Sequence, residues 1–373
     1  MNKHIIEGII SKIVENMPVI GTGNPKIGNP DFTWKMCEPG YWVAGFYVGE
    51  LWAAYMLTGD QKFANHARAR YPFFKHLLNE PELINHDLGF LFSLSAVADY
   101  KQTGNQEARD LALRAAETLR SQFQQMGEFI QAWPLTKLNV EKRNELAAGR
   151  MLIDSFENMA LLFWAAEETG IKSFYNVAKA HAATAIRHLI REDGSTFHTF
   201  KFDPATQKPL RGETLQGYSD DSAWSRGQSW AIHGLSQIYR YTRDPHILEA
   251  ARAVTDYALN NLNDDGLCPW DYLDPTEGRT VIDSSACAIT CAGLAALGEL
   301  DPIHGPRYAK AAQTLFDALT LKCSLVNTPA AQGLLDHGAY FVKRGDIRAM
   351  LPYGDYFYFE AALRLQGHHE LFW

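Results

Sequence analysis

The feature that most constrains this chain is a local pattern that returns five times. An apolar stretch ends in Thr-Gly or a close variant, and an amphipathic stretch follows at once. The copies pass through Leu57-Thr58-Gly59-Asp60, Gln102-Thr103-Gly104-Asn105, Glu168-Thr169-Gly170 and Tyr241-Thr242-Arg243-Asp244. A weaker fifth passes through Leu297-Gly298-Glu299-Leu300-Asp301. A glycine after the first helix suits a left-handed C-cap. An Asp or Asn after it suits the N-cap of the next helix. Recurrence every several dozen residues is the mark of repeated helical hairpins. No long alternating run of β-branched residues occurs, which argues against a sheet-based fold. Such hairpins either stack into an open scaffold that binds a partner or close into a ring of inner and outer helices. The segments between copies are rich in Trp, His, Asp and Gly, and these favour closure around a site.

The 373 residues suffice for one closed barrel or two smaller domains. A hydrophobic content of 46% with 21% charged residues argues against disorder. The formal net charge of −8 argues against non-specific nucleic-acid binding. A negative protein that handles an anionic substrate must concentrate a few cations locally. The most apolar stretch, residues 41–57, contains Glu50, Gly45 and Gly49 and reads as a buried helix, not a membrane span. Near the N-terminus, Glu7 interrupts the apolar run and Ser11-Lys12 end it, so no signal peptide is expected. The five cysteines (Cys37, Cys268, Cys287, Cys291 and Cys323) form no CxxC pair and read as free thiols in a reducing cytoplasm.

Three segments can carry chemistry. In Asn85-His86-Asp87-Leu88-Gly89-Phe90 a carboxylate stands beside an imidazole at the start of an apolar helix, and taken alone a helix cap by Asp87 or Asn85 is the simpler reading. In Arg150-Met151-Leu152-Ile153-Asp154-Ser155-Phe156-Glu157 the apolar surroundings would raise the Asp154 pKa on burial, as a general acid requires. A cap with Glu157 in box-like spacing fits that segment equally well. The third runs from Leu215 to Trp230. Trp224 and Trp230 offer faces to a sugar ring, Arg226 a fork for a carboxylate, and Gln216 and Gln228 partners for hydroxyls. Core tryptophans with a structural Arg–Asp pair are the alternative there, but the density of polar and aromatic groups favours a site. His198, between Phe197 and Thr199, and Trp133, close to Gln131, extend the set. Asp283 before an apolar helix is most simply a cap, and Gly354-Asp355-Tyr356-Phe357-Tyr358 suits core and site alike. No P-loop, Rossmann fingerprint, serine elbow or zinc motif is present.

Together these segments resemble glycoside hydrolase family 88, the unsaturated glucuronyl hydrolases, over nearly the whole chain. The most specific pieces are His86-Asp87-Leu88-Gly89-Phe90-Leu91-Phe92-Ser93-Leu94-Ser95-Ala96, His198-Thr199-Phe200-Lys201-Phe202-Asp203-Pro204 and Trp224-Ser225-Arg226-Gly227-Gln228-Ser229-Trp230. The resemblance implies an all-α fold, an (α/α)6 barrel of helical hairpins, as a single catalytic domain over residues 1–373. It implies Asp154 as general acid/base and Asp87 as a second essential carboxylate. Trp42, His86, Trp133, His198, Gln216, Arg226, Trp230 and Tyr340 fall on pocket-lining positions, with Arg226 expected to meet a substrate carboxylate supported by Gln216. Pro39 stands where an acidic residue is usual, and Leu215 and Phe341 where an imidazole can occur.

The implied reaction hydrates the C4–C5 double bond of a terminal unsaturated uronic acid in lyase-generated oligosaccharides. It needs no cofactor and no metal. The expected partner is the unsaturated oligosaccharide alone, without nucleic acid or membrane, for a cytoplasmic monomer or weak homodimer. The alternatives are the sister family acting on unsaturated galacturonyl–rhamnose fragments, a conventional inverting glycosidase on the same barrel, and a non-catalytic helical scaffold.

Overall fold

The cap residues act locally as the repeat requires. In the computed structural model, which describes residues 2–133, 146–276 and 280–373, Gly59, Gly104 and Gly170 each end an apolar helix in the left-handed region. Arg243 takes the same conformation at the copy without glycine, with φ +51°. Asp60, Asn105 and Asp244 each accept a backbone N–H two residues on and so start the following helix. The fifth copy departs from expectation. Gly298 stays inside its helix, where a Cβ would press on Ala309 of the next helix at 3.0 Å, so it serves close helix packing and caps nothing.

The helices alternate between an inner and an outer ring. The chain opens with α1 (Asn2–Ile20), and a two-stranded sheet of β1 (Pro25–Gly28) and β2 (Trp34–Met36) leads to α2 (Ala44–Thr58). Next come α3 (Gln61–Arg68) and α4 (Tyr71–Asn79), then α5 (Leu88–Phe92), which continues through a π-turn over Ser93–Val97 into α6 (Ala98–Thr103). After α7 (Gln106–Ser121) and a short hairpin of β3 (Phe123–Gln124) and β4 (Phe129–Ile130) come β5 (Arg150–Leu152), α8 (Ser155–Thr169) and α9 (Lys172–Leu189). Strands β6 (Thr199–Phe202) and β7 (Pro209–Glu213) join β5 in an antiparallel sheet. Five further α-helices follow among the described residues: α10 (Ser225–Thr242), α11 (Pro245–Asn260), α12 (Ser284–Leu300), α13 (Gly305–Cys323) and α14 (Pro352–Arg364).

Burial separates the rings. Helices α2, α5–α6, α8, α10, α12 and α14 are buried around nearly their whole circumference, whereas α7, α9, α11 and α13 bury a single stripe. Each inner helix packs on the next, and α14 packs on α2, so the inner ring closes. This is the (α/α)6 barrel. Its sixth hairpin joins the two ends of the chain: α1 lies outside α14 and α2. Lys12 and Asn16 of α1 fasten the loop before α14 by donating to the carbonyls of Thr328, Ala331 and Gln332. The apolar stretch 41–57 is indeed buried, and no helix among the described residues is long and apolar enough to cross a membrane. All five cysteines are free, four of them buried and Cys37 half-buried.

Because every inner helix is followed by an outer one, all inner helices run in the same direction. Their N-termini therefore gather at one end of the barrel, together with β5–β7 and the loops before α10 and α14. That end holds the site. Close packing there depends on Gly89, where a Cβ would lie 2.3 Å from the Asn158 Cα and 2.6 Å from its backbone oxygen. At Gly59 the only obstacle is the left-handed backbone, with nothing within 4 Å. Gly89→Ala should thus cost about 2 kcal/mol or more in urea unfolding, and Gly59→Ala only about 1 kcal/mol. Equal costs would show that α5 does not need this close approach.

Candidate active site

Three aspartates precede inner helices, and locally they look alike. Asp283 is a cap: its carboxylate accepts the Ser285 and Ala286 N–H groups of α12. Asp87 and Asp154 occupy the same position before α5 and α8, yet neither side chain makes a capping bond. The local turn at α5 is made by Asn85, whose Oδ1 accepts the Asp87 N–H at 2.8 Å. The carboxyls of Asp87 and Asp154 are left to face a cavity of about 230 Å³ at the mouth of the barrel.

The ten residues that the resemblance placed at the site, Asp154 and Asp87 among them, all line this cavity. Asp154 follows β5, while His198 precedes β6 and Gln216 follows β7, so the small sheet brings the three to one edge. Trp42 and His86-Asp87 arrive just ahead of α2 and α5, and Trp133 from the segment after β4. Arg226 and Trp230 occupy the first turns of α10, and Tyr340 comes from the loop before α14, where its hydroxyl is 2.7 Å from that of Tyr41. Trp42 stacks on Tyr353 at 5.3 Å, and Phe90 lies 5.7 Å from Trp42 and 5.0 Å from Trp230, which makes an aromatic floor.

Burial pushes the carboxyls of both Asp87 and Asp154 up to about 7. His86 draws Asp154 down, while the charges of Asp87 and Glu157 add to the rise. Asp154 Oδ1 and both ring nitrogens of His86 have no hydrogen-bond partner although buried. His86 Nε2 lies 3.5 Å from Asp87 Oδ1 and 3.7 Å from Asp154 Oδ1. His198 is held down to about 3, first by burial and then by Arg226, and so is neutral. Its Nδ1 accepts the N–H groups of Leu215 and Gln216 at 3.1 and 3.2 Å, which places its proton on Nε2 as a donor.

Two readings of the third segment change. The Arg226 guanidinium is not an open fork: Nη1 bonds Asp283 and the Ala339 carbonyl, and Nη2 bonds Gln216 Oε1 at 3.0 Å and the Tyr340 carbonyl at 2.8 Å. The structural Arg–Asp pair is real. Because Arg226 occupies the Gln216 oxygen, the Gln216 Nε2 becomes the donor on its free side. Gln228 is absent from the cavity lining, since its amide donates to the carbonyls of Gly194 and Val254. Residues 354–358 are core, while their neighbour Tyr353 reaches the cavity. Arg344 also lines it, stacked on Phe341 at 4.2 Å. No sequence signal marked Arg344, because only the path of the loop over the barrel mouth brings it there.

The geometry matches known proteins. The family model for Glycosyl Hydrolase Family 88 covers residues 9–356. The chain belongs to this family. It is therefore a glycoside hydrolase, and the open-scaffold alternative falls with the closed ring. The unsaturated chondroitin disaccharide hydrolase of Streptococcus pneumoniae is 35% identical over 99% of this chain and 92% of its own length. The crystal structure of the unsaturated glucuronyl hydrolase of Bacillus sp. GL1 superposes with a TM-score of 0.93 at 33% identity, covering 100% of this chain and 99% of that one. A variant of the unsaturated glucuronyl hydrolase of Streptococcus agalactiae, complexed with dGlcA-GalNAc6S, superposes at 0.82 with 30% identity, covering 100% and 93%.

The ligand atoms of His86, Asp87 and Asp154 lie within 4.8 Å of one another, a donor set that by type could also hold a divalent cation. Chelation separates the two uses. Prolonged EDTA treatment should leave activity unchanged, and loss restored by a divalent ion would assign these atoms to a metal. A second measurement concerns stability. A carboxyl whose folded pKa is raised favours folding below its unfolded value and loses that contribution as pH rises through about 7. Asp154→Asn stays neutral, so it should melt at or above the wild type near pH 8, with the difference shrinking near pH 5. A lower melting temperature near pH 8 would show that the Asp154 charge is paired in solution.

Proposed function

We propose that this protein, as a single catalytic domain, hydrates the C4–C5 double bond of a terminal unsaturated uronic acid on an oligosaccharide left by a polysaccharide lyase. The observation that carries this reading is Asp154: a carboxyl at a helix start that caps nothing, faces the cavity and is held protonated near neutrality by burial. The enol ether is protonated at C4 by Asp154, and positive charge develops at C5 beside the ring oxygen. Water adds at C5, losing its proton to the Asp154 carboxylate, and the hemiketal opens to a keto acid as the next sugar leaves. An ionised Asp87 supports the charge at C5 and orients the sugar hydroxyls. The uronate carboxylate meets the Gln216 amide and the His198 Nε2–H in the field of Arg226. Trp42, Trp133, Trp230 and Tyr340 hold the ring.

The carboxyl spacing argues against an inverting displacement at the anomeric carbon. An inverting glycosidase separates its carboxyl groups by about 6.5–9.5 Å to admit a water. Here the two offer oxygens within 4.8 Å. The named relatives act on unsaturated glucuronyl and chondroitin substrates, and the family match favours this reading over the sister family's pectin fragments.

The test is turnover of lyase-generated unsaturated disaccharides, followed by loss of the double bond's ultraviolet absorbance. Asp154→Asn should fold yet lose about two to four orders of magnitude in kcat; substantial residual turnover would pass the role to Asp87. In the wild type, activity should fall as pH drops and Asp87 takes a proton, and fall again as pH rises and Asp154 loses its own. The maximum then lies near neutrality, with the limbs belonging to the pair. A profile flat from about pH 5 to 9 would exclude acid catalysis by a carboxyl of this kind.

A further inference from the structure

The mechanism needs the two neighbouring carboxyls in opposite protonation states, and burial alone treats them alike. A difference comes from Asn158. It lies four residues after Asp154, one turn along the same face of α8. It is fully buried, and its amide is oriented by an unambiguous partner, because the Phe90 N–H donates to Oδ1 at 2.9 Å. The amide NH2 must therefore point the other way. It lies 3.5 Å from Asp87 Oδ1 and 3.3 Å from the backbone oxygen of Asp154. Gly89 makes this contact possible, since a Cβ there would meet Asn158 Oδ1 at 2.6 Å.

We propose that Asn158 is a positioning residue that decides which of the two carboxyls carries the proton, by giving Asp87 a fixed side-chain amide donor where the Asp154 carboxyl has none. This rests on the reading of Asp154 as the acid. Two buried carboxyls so close do not ionise together near neutrality, so the pair holds one proton. A donor to the charged form draws the charge to its own partner. Asp87 then stays ionised beside C5 and Asp154 keeps the proton for C4. Two other groups near the pair bear on this choice, in opposite directions. His86, 3.5 Å from Asp87 and 3.7 Å from Asp154, draws Asp154 toward its charged form. Glu157 of α8 adds negative charge that holds the proton on Asp154, but it is itself paired with His233. His181 of α9 bonds Ser155 and the Ile130 N–H, and His198 bonds the backbone after β7. Arg226 and Lys343 act on His198 from farther away.

The test compares Asn158→Asp, which keeps an acceptor for Phe90 but replaces the donor with a charge, and Asn158→Ser, whose hydroxyl is too short to reach. In both, the acid limb of kcat/KM should move up by about one pH unit or more, with kcat near neutrality reduced about tenfold. KM should change far less, and the shift should not track the melting temperature. A folded variant with the wild-type pH profile overturns the proposal. Should neither variant fold, carbon-13 titration of the aspartate carboxyls in the wild-type protein decides it, with signals assigned by Asp87→Asn and Asp154→Asn. Asp87 must ionise first, and Asp154 ionising first overturns the proposal. The two ideas fail separately. An active Asp154→Asn enzyme refutes the acid assignment, whereas an inert one beside unaltered Asn158 profiles refutes this inference alone.

Discussion

The barrel depends on a charged clasp across its axis. His233 of α10 bonds Glu157 of α8 at 2.8 Å through Nδ1 and Glu360 of α14 at 2.9 Å through Nε2, with all three side chains fully buried. Burial opposes an imidazolium, but the two carboxylates overcome it and hold His233 up to about 9. Arg364 and the Trp373 indole complete the bonding of Glu360. Charges this deep are costly once separated, so the clasp penalises any sliding or rotation of three inner helices at once. Glu157 lies one turn after Asp154. The clasp that fixes α8 about its own axis therefore also fixes where Asp154 points.

From that anchor the site divides into committed and available groups. Arg226 is committed: it ties α10 to Asp283, to the Tyr340 loop and to Gln216, and its charge acts on the cavity without open terminal nitrogens. Gln216 and His198 are available because their other polar atoms are already satisfied, which fixes them as donors. His86 and Asp154 keep buried atoms without protein partners at the cavity they line. The converging N-termini of the inner helices add positive potential in a chain of net charge −8, which suits an anionic sugar.

The sequence by itself determined what local physics controls. Glycine tolerates the left-handed C-cap and Asp or Asn satisfies the first N–H groups, so helix ends at residues 58–60, 103–105 and 169–170 were legible, and with them the hairpin repeat. The alternation of apolar and amphipathic stretches was legible too, and the structure resolves it into inner and outer helices. The density of Trp, His, Asp and Arg in the intervening segments, with the family resemblance, located ten of the residues that line the cavity. Tertiary structure alone decided the rest. The sixth hairpin joins α1 to α14 across the whole chain, where no turn leaves a local mark. Gly298 resembled a cap but serves helix contact. Asp87, Asp154 and Asp283 each precede an apolar helix, and no local rule tells cap from acid. What separates them is whether a neighbour elsewhere in the chain uses the carboxylate, as Arg226 does for Asp283, or leaves it facing a cavity. The open fork expected of Arg226 and the missed Arg344 have the same cause: a side chain's partners come from segments a hundred residues away, and only folding brings them together.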